Sequence, residues 1–289
     1  MISTQVREKI KTIELYTRRL MNANMLGNSR SRVKGSGLDF DQLRDYYSGD
    51  DVRSLDWNSS ARMNKLLVKQ FNDERYRTLL IALDISASMF YGSDGLLKHE
   101  TSAQIAALLS YAGLISKDEV GLLLFSDTIE LYIPAKKGKL HTYQILEKIF
   151  TLSKKNVHTS LNTALEYIIK LRKKNMMVFL ISDFISDASF EKNIAVANRM
   201  CDLIAIQIVD SAEKNLAING FITIKDSETQ QESIINVRKH SKENFNCFLQ
   251  ERAEEQKKMF ASLSVDLITI APKTPLLETL VYFFQARKR

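Results

Sequence analysis

Leu79-Leu80-Ile81-Ala82-Leu83-Asp84-Ile85-Ser86-Ala87-Ser88 is the stretch whose reading decides the fold of this chain. Its first five residues are apolar without alternation, the pattern of a strand buried on both faces, and such strands belong to parallel sheets covered by helices. One carboxylate and two hydroxyls follow at once. They put oxygen donors at the carboxyl end of a strand, the edge where open parallel sheets bind ligands. Alternate residues of an extended chain face the same way, so Asp84, Ser86 and Ser88 converge while Ile85 and Ala87 turn toward the packing side. One charge with two neutral hydroxyls suits a hard divalent cation such as Mg2+ and offers little to zinc or copper. A hydrogen-bonded loop uses the same residue types, so a metal site requires further ligands from elsewhere in the chain.

The same grammar continues outward. Strand-like runs occupy residues 66–71, 79–83, 120–125, 131–133, 176–182, 203–209 and 265–270, and helix-like segments cover 102–115, 140–152, 161–171, 190–200 and 244–263. Apolar strands alternating with amphipathic helices predict a mostly parallel sheet with helices on both faces. The longest helix carries Phe245, Phe248, Leu249, Ala253, Met259, Phe260 and Leu263 as one apolar stripe. Asp127-Thr128 separates two strand runs by a tight turn, which predicts a hairpin and one antiparallel edge strand. A second hairpin is expected over 221–237, turning around Asp226-Ser227-Glu228-Thr229. Pro134, Pro272 and Pro275 are each expected just past a strand.

Toward the N-terminus the pattern changes. Val6, Ile10, Ile13, Leu20 and Met21 recur at near-helical spacing within residues 2–26, an amphipathic helix that either docks on the protein body or, with its Arg and Lys residues, lies on a membrane surface. A Ser, Gly and basic loop follows over 28–37. Residues 39–61 are polar and aromatic, without clear periodicity. The expected division is therefore an extension over residues 1–75 and an α/β domain over 76–289.

Composition narrows the class. At 289 residues and 45% hydrophobic content the chain can bury a sizeable core. No apolar run reaches the roughly 20 residues a bilayer demands, and the first residues lack the apolar core of a secretory signal, so the expected location is cytoplasmic. Cys201 and Cys247 form no CxxC pair and read as reduced core residues. The net charge of +7 raises nucleic acid or an acidic membrane surface as partners. Its basic residues are nevertheless scattered, clustering at 30–34, 136–139, 172–174 and 287–289 without interleaved aromatics, which favours a solvated basic surface.

The missing ligands come from two further segments. Residues 176–183 form a second buried strand ending on Asp183, and His158-Thr159-Ser160 precedes the helix that starts near Leu161. The order Asp-x-Ser-x-Ser, then a loop threonine, then a strand-end aspartate resembles the metal-ion-dependent adhesion site of von Willebrand factor A domains. That resemblance implies a doubly wound sheet holding Mg2+ or Mn2+. Ser86, Ser88 and Thr159 would be direct hydroxyl ligands, Asp84 and Asp183 would act largely through bound water, and one position would stay open for a partner's carboxylate. Ser160 departs from the acidic residue expected after the threonine.

A second resemblance rests on Gly49-Asp50-Asp51-Val52-Arg53-Ser54-Leu55-Asp56-Trp57, followed by Ser60-Ala61-Arg62. With Tyr46-Tyr47, Lys98, Ser182-Asp183-Phe184 and residues 276–280, this segment is similar to the uncharacterised bacterial family that accompanies MoxR-type AAA+ ATPases. The resemblance implies a non-enzymatic adaptor or assembly factor whose partner is such an ATPase or its client. Within the segment, Arg53 and Arg62 are expected to pair with Asp50, Asp51 or Asp56, and Trp57 to anchor it on the A-like body.

Two other classes compete with a binding module. Asp84 with Mg2+ could act as the nucleophile of a phosphohydrolase, but the position two residues on, where haloacid-dehalogenase-like phosphatases carry an acid-base aspartate, holds Ser86. Nucleic-acid binding rests on net charge alone. No P-loop, Gly-rich dinucleotide turn or Ser, His and Asp arrangement is present.

Overall fold

The computed structural model describes residues 34–35, 39–72 and 77–287, apart from 94, 96, 152–158, 174, 187–188, 215–219, 226–231 and 238. The helix expected over 2–26, most of the 28–37 loop, His158 and the 226–229 turn lie outside these residues. The chain divides into two compact units, one spanning Leu26–Tyr76 and one containing Arg77–Arg289.

In the smaller unit β1 (Lys34–Gly35), β2 (Asp39–Asp45) and β3 (Leu67–Asn72) form an antiparallel sheet in the order β1-β3-β2. The strand expected over 66–71 is thus present as Leu67–Asn72, but in this separate sheet. The stretch 39–61, which lacks periodicity, holds β2, a 3-10 turn (Val52–Ser54) and helix α1 (Trp57–Met63). A register shift between Phe40 and Gln42 interrupts the alternation of β2, and the 3-10 turn and α1 are short elements made by local capping. Asp51 accepts from the Arg53 amide at 3.0 Å and Asp56 from the Ser59 amide at 3.1 Å, each supplying a donor-rich helix start with an acceptor. Asp56 also meets Lys69 Nζ at 3.6 Å, and among the described residues neither aspartate pairs with the Arg53 or Arg62 guanidinium. Asp50 is taken by Arg44 in two bonds of 2.6 Å. Trp57 is 64% exposed, and the small core is built from Leu55, Leu67 and Val68 instead.

The larger unit contains a six-stranded sheet in the order β11-β8-β7-β4-β5-β6. Its strands are β4 (Thr78–Asp84), β5 (Glu119–Phe125), β6 (Ile129–Lys136), β7 (Met176–Ser182), β8 (Asp202–Ile208) and β11 (Asp266–Ile270), all parallel except β6. Between β8 and β11 lies the separate hairpin of β9 (Gly220–Lys225) and β10 (Glu232–Val237). The helices are α2 (Lys98–Ile115), α3 (Lys139–Phe150), α4 (Leu161–Leu171), α5 (Glu191–Met200), α6 (Ser211–Lys214), α7 (Lys239–Ser262) and α8 (Leu276–Arg287). This is the expected von Willebrand factor A-like architecture, doubly wound with an antiparallel edge.

The pleat of β4 sorts its side chains. Leu79, Ile81 and Leu83 pack with Ile105 and Leu109 of α2 and Leu277 of α8, while Leu80 and Ala82 pack with Leu165 of α4 and Phe260 of α7. Both faces are dry, which explains the unbroken apolar run. Pro134 lies inside β6 rather than past it, tolerated because β6 is an edge strand with an irregular register between Val120 and Leu122. Gly121 sits at that irregularity, where a Cβ would come within 3.0 Å of the Ala135 nitrogen and the Ile133 oxygen.

The stripe of the longest helix is buried only at its end. Phe260 is fully buried, whereas Phe245 and Phe248 are 42% and 55% exposed, and Cys247 is exposed too. Helical spacing gives the face but not how far the sheet extends beneath it. Cys201 is buried as expected, and burial first, then the nearby Asp202, pushes its thiol up to about 12. Among the described residues no helix is long and apolar enough to cross a membrane.

Candidate metal centre

The chain adds β5 and β6 on one side of β4 and β7, β8 and β11 on the other, so the winding reverses between β4 and β7. A crevice at the strand ends of such a reversal is where open α/β sheets bind ligands. Asp84 is the last residue of β4, and Asp183 directly follows β7. Both carboxylates are buried, at 1% and 2% exposure.

Each Asp84 oxygen has one donor: the Ser86 amide at 2.9 Å and the Ser182 hydroxyl at 2.6 Å. Ser86 is fully buried and opens a 3-10 turn over Ala87–Phe90, which brings its Oγ within 3.1 Å of Ser88 Oγ. Ile85 and Ala87 point into the core, at 4% and 2% exposure. Asp84, Ser86 and Ser88 thus form one cluster, although a tight turn, rather than continued extension, carries the second serine there.

Thr159 arrives by a separate route. Ile85 bonds to the Phe125 oxygen at the end of β5, and the Ser160 amide bonds to the Ser126 oxygen, each at 2.9 Å. The Thr159-Ser160 segment therefore lies at the end of β5, the strand paired with β4 on the side away from β7. Thr159 Oγ1 is buried and has no hydrogen-bond partner among the described residues. Ser160 caps α4, accepting from the Thr163 amide at 3.4 Å and hydroxyl at 2.9 Å, a task an acidic residue could equally perform.

Asp183 is held otherwise than a ligand-only reading implies. Its Oδ1 accepts from the Ile185 amide at 3.1 Å, and its Oδ2 from Lys98 Nζ at 2.9 Å. Lys98 is 1% exposed and also donates to Glu213 Oε1 at 2.7 Å. Glu213 Oε2 accepts from the Asp210 amide at 3.0 Å. Asp210, fully buried, accepts from the Ser93 amide at 3.0 Å and from the Ser93 hydroxyl. The chain after the 3-10 turn therefore reaches from the end of β4 to the end of β8, and Lys98 follows it at the first position of α2.

Charge is unbalanced at this edge. Among the described residues the Lys98 ammonium pairs with Asp183 and Glu213 and acts on Asp210, while Asp84 has only the like charge of Asp183 as its charged neighbour. Burial first, then the neighbouring Asp183, pushes the Asp84 carboxyl up to about 7, against the pull of its Ser182 and Ser86 donors. Burial draws the Lys98 pKa down, but Asp183 and Glu213 outweigh it and the net shift is upward. Ser93 and the Ala212 amide hold Asp210 below the usual range despite burial.

The donor set fits a hard divalent cation. Hydroxyl oxygens and carboxylates, with no histidine or cysteine, are what Mg2+ or Mn2+ takes, and an unpartnered buried hydroxyl has a lone pair that a cation can use. Among the described residues no three His, Cys, Asp or Glu side chains form a metal-holding group, so any cation here depends on Ser86, Ser88 and Thr159. Sequence reasoning names these residues as candidate ligands but does not anticipate the Ser182 bond to Asp84 or the Lys98, Glu213 and Asp210 chain.

Residues 42–258 match the protein family described as "Protein of unknown function DUF58". The uncharacterized protein Rv1480 of Mycobacterium tuberculosis is 23% identical over 222 residues, 76% of this chain and 70% of that protein. The uncharacterized protein MAV169 of Mycobacterium avium is 19% identical over 159 residues, 54% of this chain and 94% of that protein. Among solved structures, the conserved hypothetical protein BatB of Bacteroides thetaiotaomicron is similar at a TM-score of 0.45 and 14% identity, covering 74% of this chain and 100% of that one. The mussel byssus proximal thread matrix protein 1 with a zinc-occupied MIDAS motif gives 0.38 and 15%, covering 61% and 46%. The manganese-loaded TRAP protein of Plasmodium vivax gives 0.33 and 19%, covering 46% and 57%. At TM-scores below 0.5 none of these three likenesses decides what this chain binds.

Proposed function

Since the chain belongs to the DUF58 family, whose function is unknown, we propose that it is a non-enzymatic, cation-dependent protein-binding module. The observation that carries this reading is the buried Thr159 hydroxyl with no partner, set at the sheet edge where Asp84 and the Ser86 and Ser88 hydroxyls gather. Ser86, Ser88 and Thr159 would offer direct oxygens, and Asp84 and Asp183 the negative charge. A bound Mg2+ or Mn2+ would supply an electropositive position for a carboxylate oxygen of the partner. The rigid strand ends and the capped α4 hold the hydroxyls in place before any partner arrives, which lowers the ordering cost of binding.

For the partner we propose a MoxR-type AAA+ ATPase, or a client presented by it, contacting the cation through an aspartate or glutamate. The support is the likeness of the segment Gly49 to Trp57, Lys98 and Ser182-Asp183-Phe184 to proteins that accompany such ATPases. The purified ATPase should be retained by the immobilised chain in Mg2+, released by EDTA and recaptured when Mg2+ returns. Thr159→Ala removes one hydroxyl that has no partner among the described residues, so capture should fall about tenfold while stability changes by no more than about 0.5 kcal/mol. Capture indifferent to both EDTA and Thr159→Ala would move the interface away from the strand ends.

We also propose that the site does not turn over substrate. Ser86 stands where a phosphohydrolase of this geometry needs an acid or base, and Lys98, the cation of the cluster, is held between Asp183 and Glu213. A screen of phosphate esters and nucleotides in Mg2+ should read at the buffer rate. Turnover that disappears in Asp84→Asn would instead establish phosphoryl transfer.

A further inference from the structure

Lys98 is placed against two ordinary preferences. It is a lysine at 1% exposure, and it starts an 18-residue helix whose dipole opposes a positive charge there. Its ammonium lies 2.9 Å from Asp183 Oδ2 and 2.7 Å from Glu213 Oε1, and neither carboxylate is free to leave. The second Asp183 oxygen is held by the Ile185 amide, and the second Glu213 oxygen by the Asp210 amide. The Lys98 backbone is pinned as well, its amide donating to the Tyr91 oxygen at 2.9 Å. A positive charge is therefore fixed beside one of the carboxylates that the cation-binding reading assigns to the site.

We propose that Lys98 is a built-in counter-cation that weakens divalent binding, so that the site fills and empties with the free cation instead of holding one permanently. The inference rests on the cation-binding reading and adds its regulation. Two cations sharing Asp183 repel each other across a poorly screened interior, and the Asp183 oxygen that Lys98 occupies is lost to the site. With its ammonium in place Asp183 has a partner whether or not metal is bound, so the metal-free protein avoids an uncompensated buried charge. Glu213 restrains the effect by sharing the ammonium.

Charge alone then predicts opposite outcomes for two neighbouring substitutions. Mn2+ titrations of the full chain, followed by calorimetry, should give at least about tenfold tighter binding for Lys98→Met and weaker binding for Glu213→Gln. Mn2+ should also raise the melting temperature of Lys98→Met more than that of the unmodified protein, because the metal replaces the missing counter-charge. A purely structural lysine would weaken both variants alike. Should Lys98→Met not fold without metal, the double variant Lys98→Met/Glu213→Gln, which removes both charges together, should bind Mn2+ more tightly than Glu213→Gln alone. Equal or weaker binding in the lysine variants, with normal binding by the unmodified chain, overturns the role of Lys98 and leaves the metal site standing. Binding by Lys98→Met alone supports the inference in its strongest form. No binding by any of these proteins overturns the metal reading and this inference together.

Discussion

Asp84→Ala abolishes Mn2+ binding: calorimetric titration should give a flat isotherm where the unmodified chain shows one site. Asp84 lies at the centre of the cluster, joined to Ser86 directly, to Ser88 through Ser86, and to β7 through Ser182. Removing its charge leaves hydroxyls alone to replace a hydration shell that a hard cation gives up reluctantly. The companion variant Asp84→Asn separates binding from folding, because an amide oxygen can still accept one of the two donors. In EDTA at pH 7.5 it should melt at or above the unmodified protein, since a buried carboxylate beside another is costly without a cation. Function lost with stability kept or gained is the mark of a residue retained for binding. An unchanged isotherm in either variant removes Asp84 from the site.

The metal-free protein becomes less stable as pH rises from about 4 to about 7. Burial and the adjacent Asp183 raise the folded Asp84 carboxyl to about 7, whereas in the unfolded chain it titrates near the ordinary value of about 4. Between those values the folded state holds a proton that the unfolded state has released. The resulting stability is complete below the unfolded value and is lost as pH climbs through the folded one. Each pH unit inside that window costs about 1.4 kcal/mol, so the urea midpoint in EDTA should fall by an amount equivalent to a few kcal/mol. Asp84→Asn should flatten the slope. Saturating Mg2+ should reverse it, because the cation binds the ionised form. A flat profile for the unmodified protein in EDTA would mean that Asp84 stays ionised when folded.

How much of this was legible depends on whether the cause is local. The unbroken run before Asp84 and the run before Asp183 reveal the parallel sheet because both faces of those strands are dry, and Asp127-Thr128 reveals the antiparallel edge because the turn is short. Helix α8 and the extent of α2 back to Lys98 escaped, the latter because its first turn serves a polar network instead of the core. The small sheet of the first unit was hidden for a different reason: an irregularity between Phe40 and Gln42 interrupts β2, and α1 is short and owes its form to its caps. Trp57 shows the limit of residue type, since an aromatic amid Arg and Asp reads as an anchor yet stands 64% exposed. At the site, oxygen donors following apolar strands could be read from order alone. The partners of Asp183 could not, because Lys98 and Glu213 lie 85 and 30 positions away and meet it only through the winding of the sheet.

Crystals of the full chain soaked in Mn2+ and measured for anomalous scattering test the central claim most directly. The account predicts one strong peak at the carboxyl ends of β4 and β7, with Ser86, Ser88 and Thr159 oxygens as direct ligands and Asp84 and Asp183 beside it. An empty strand edge, or a peak held by other residues while Thr159 Oγ1 stays unpartnered, would contradict it.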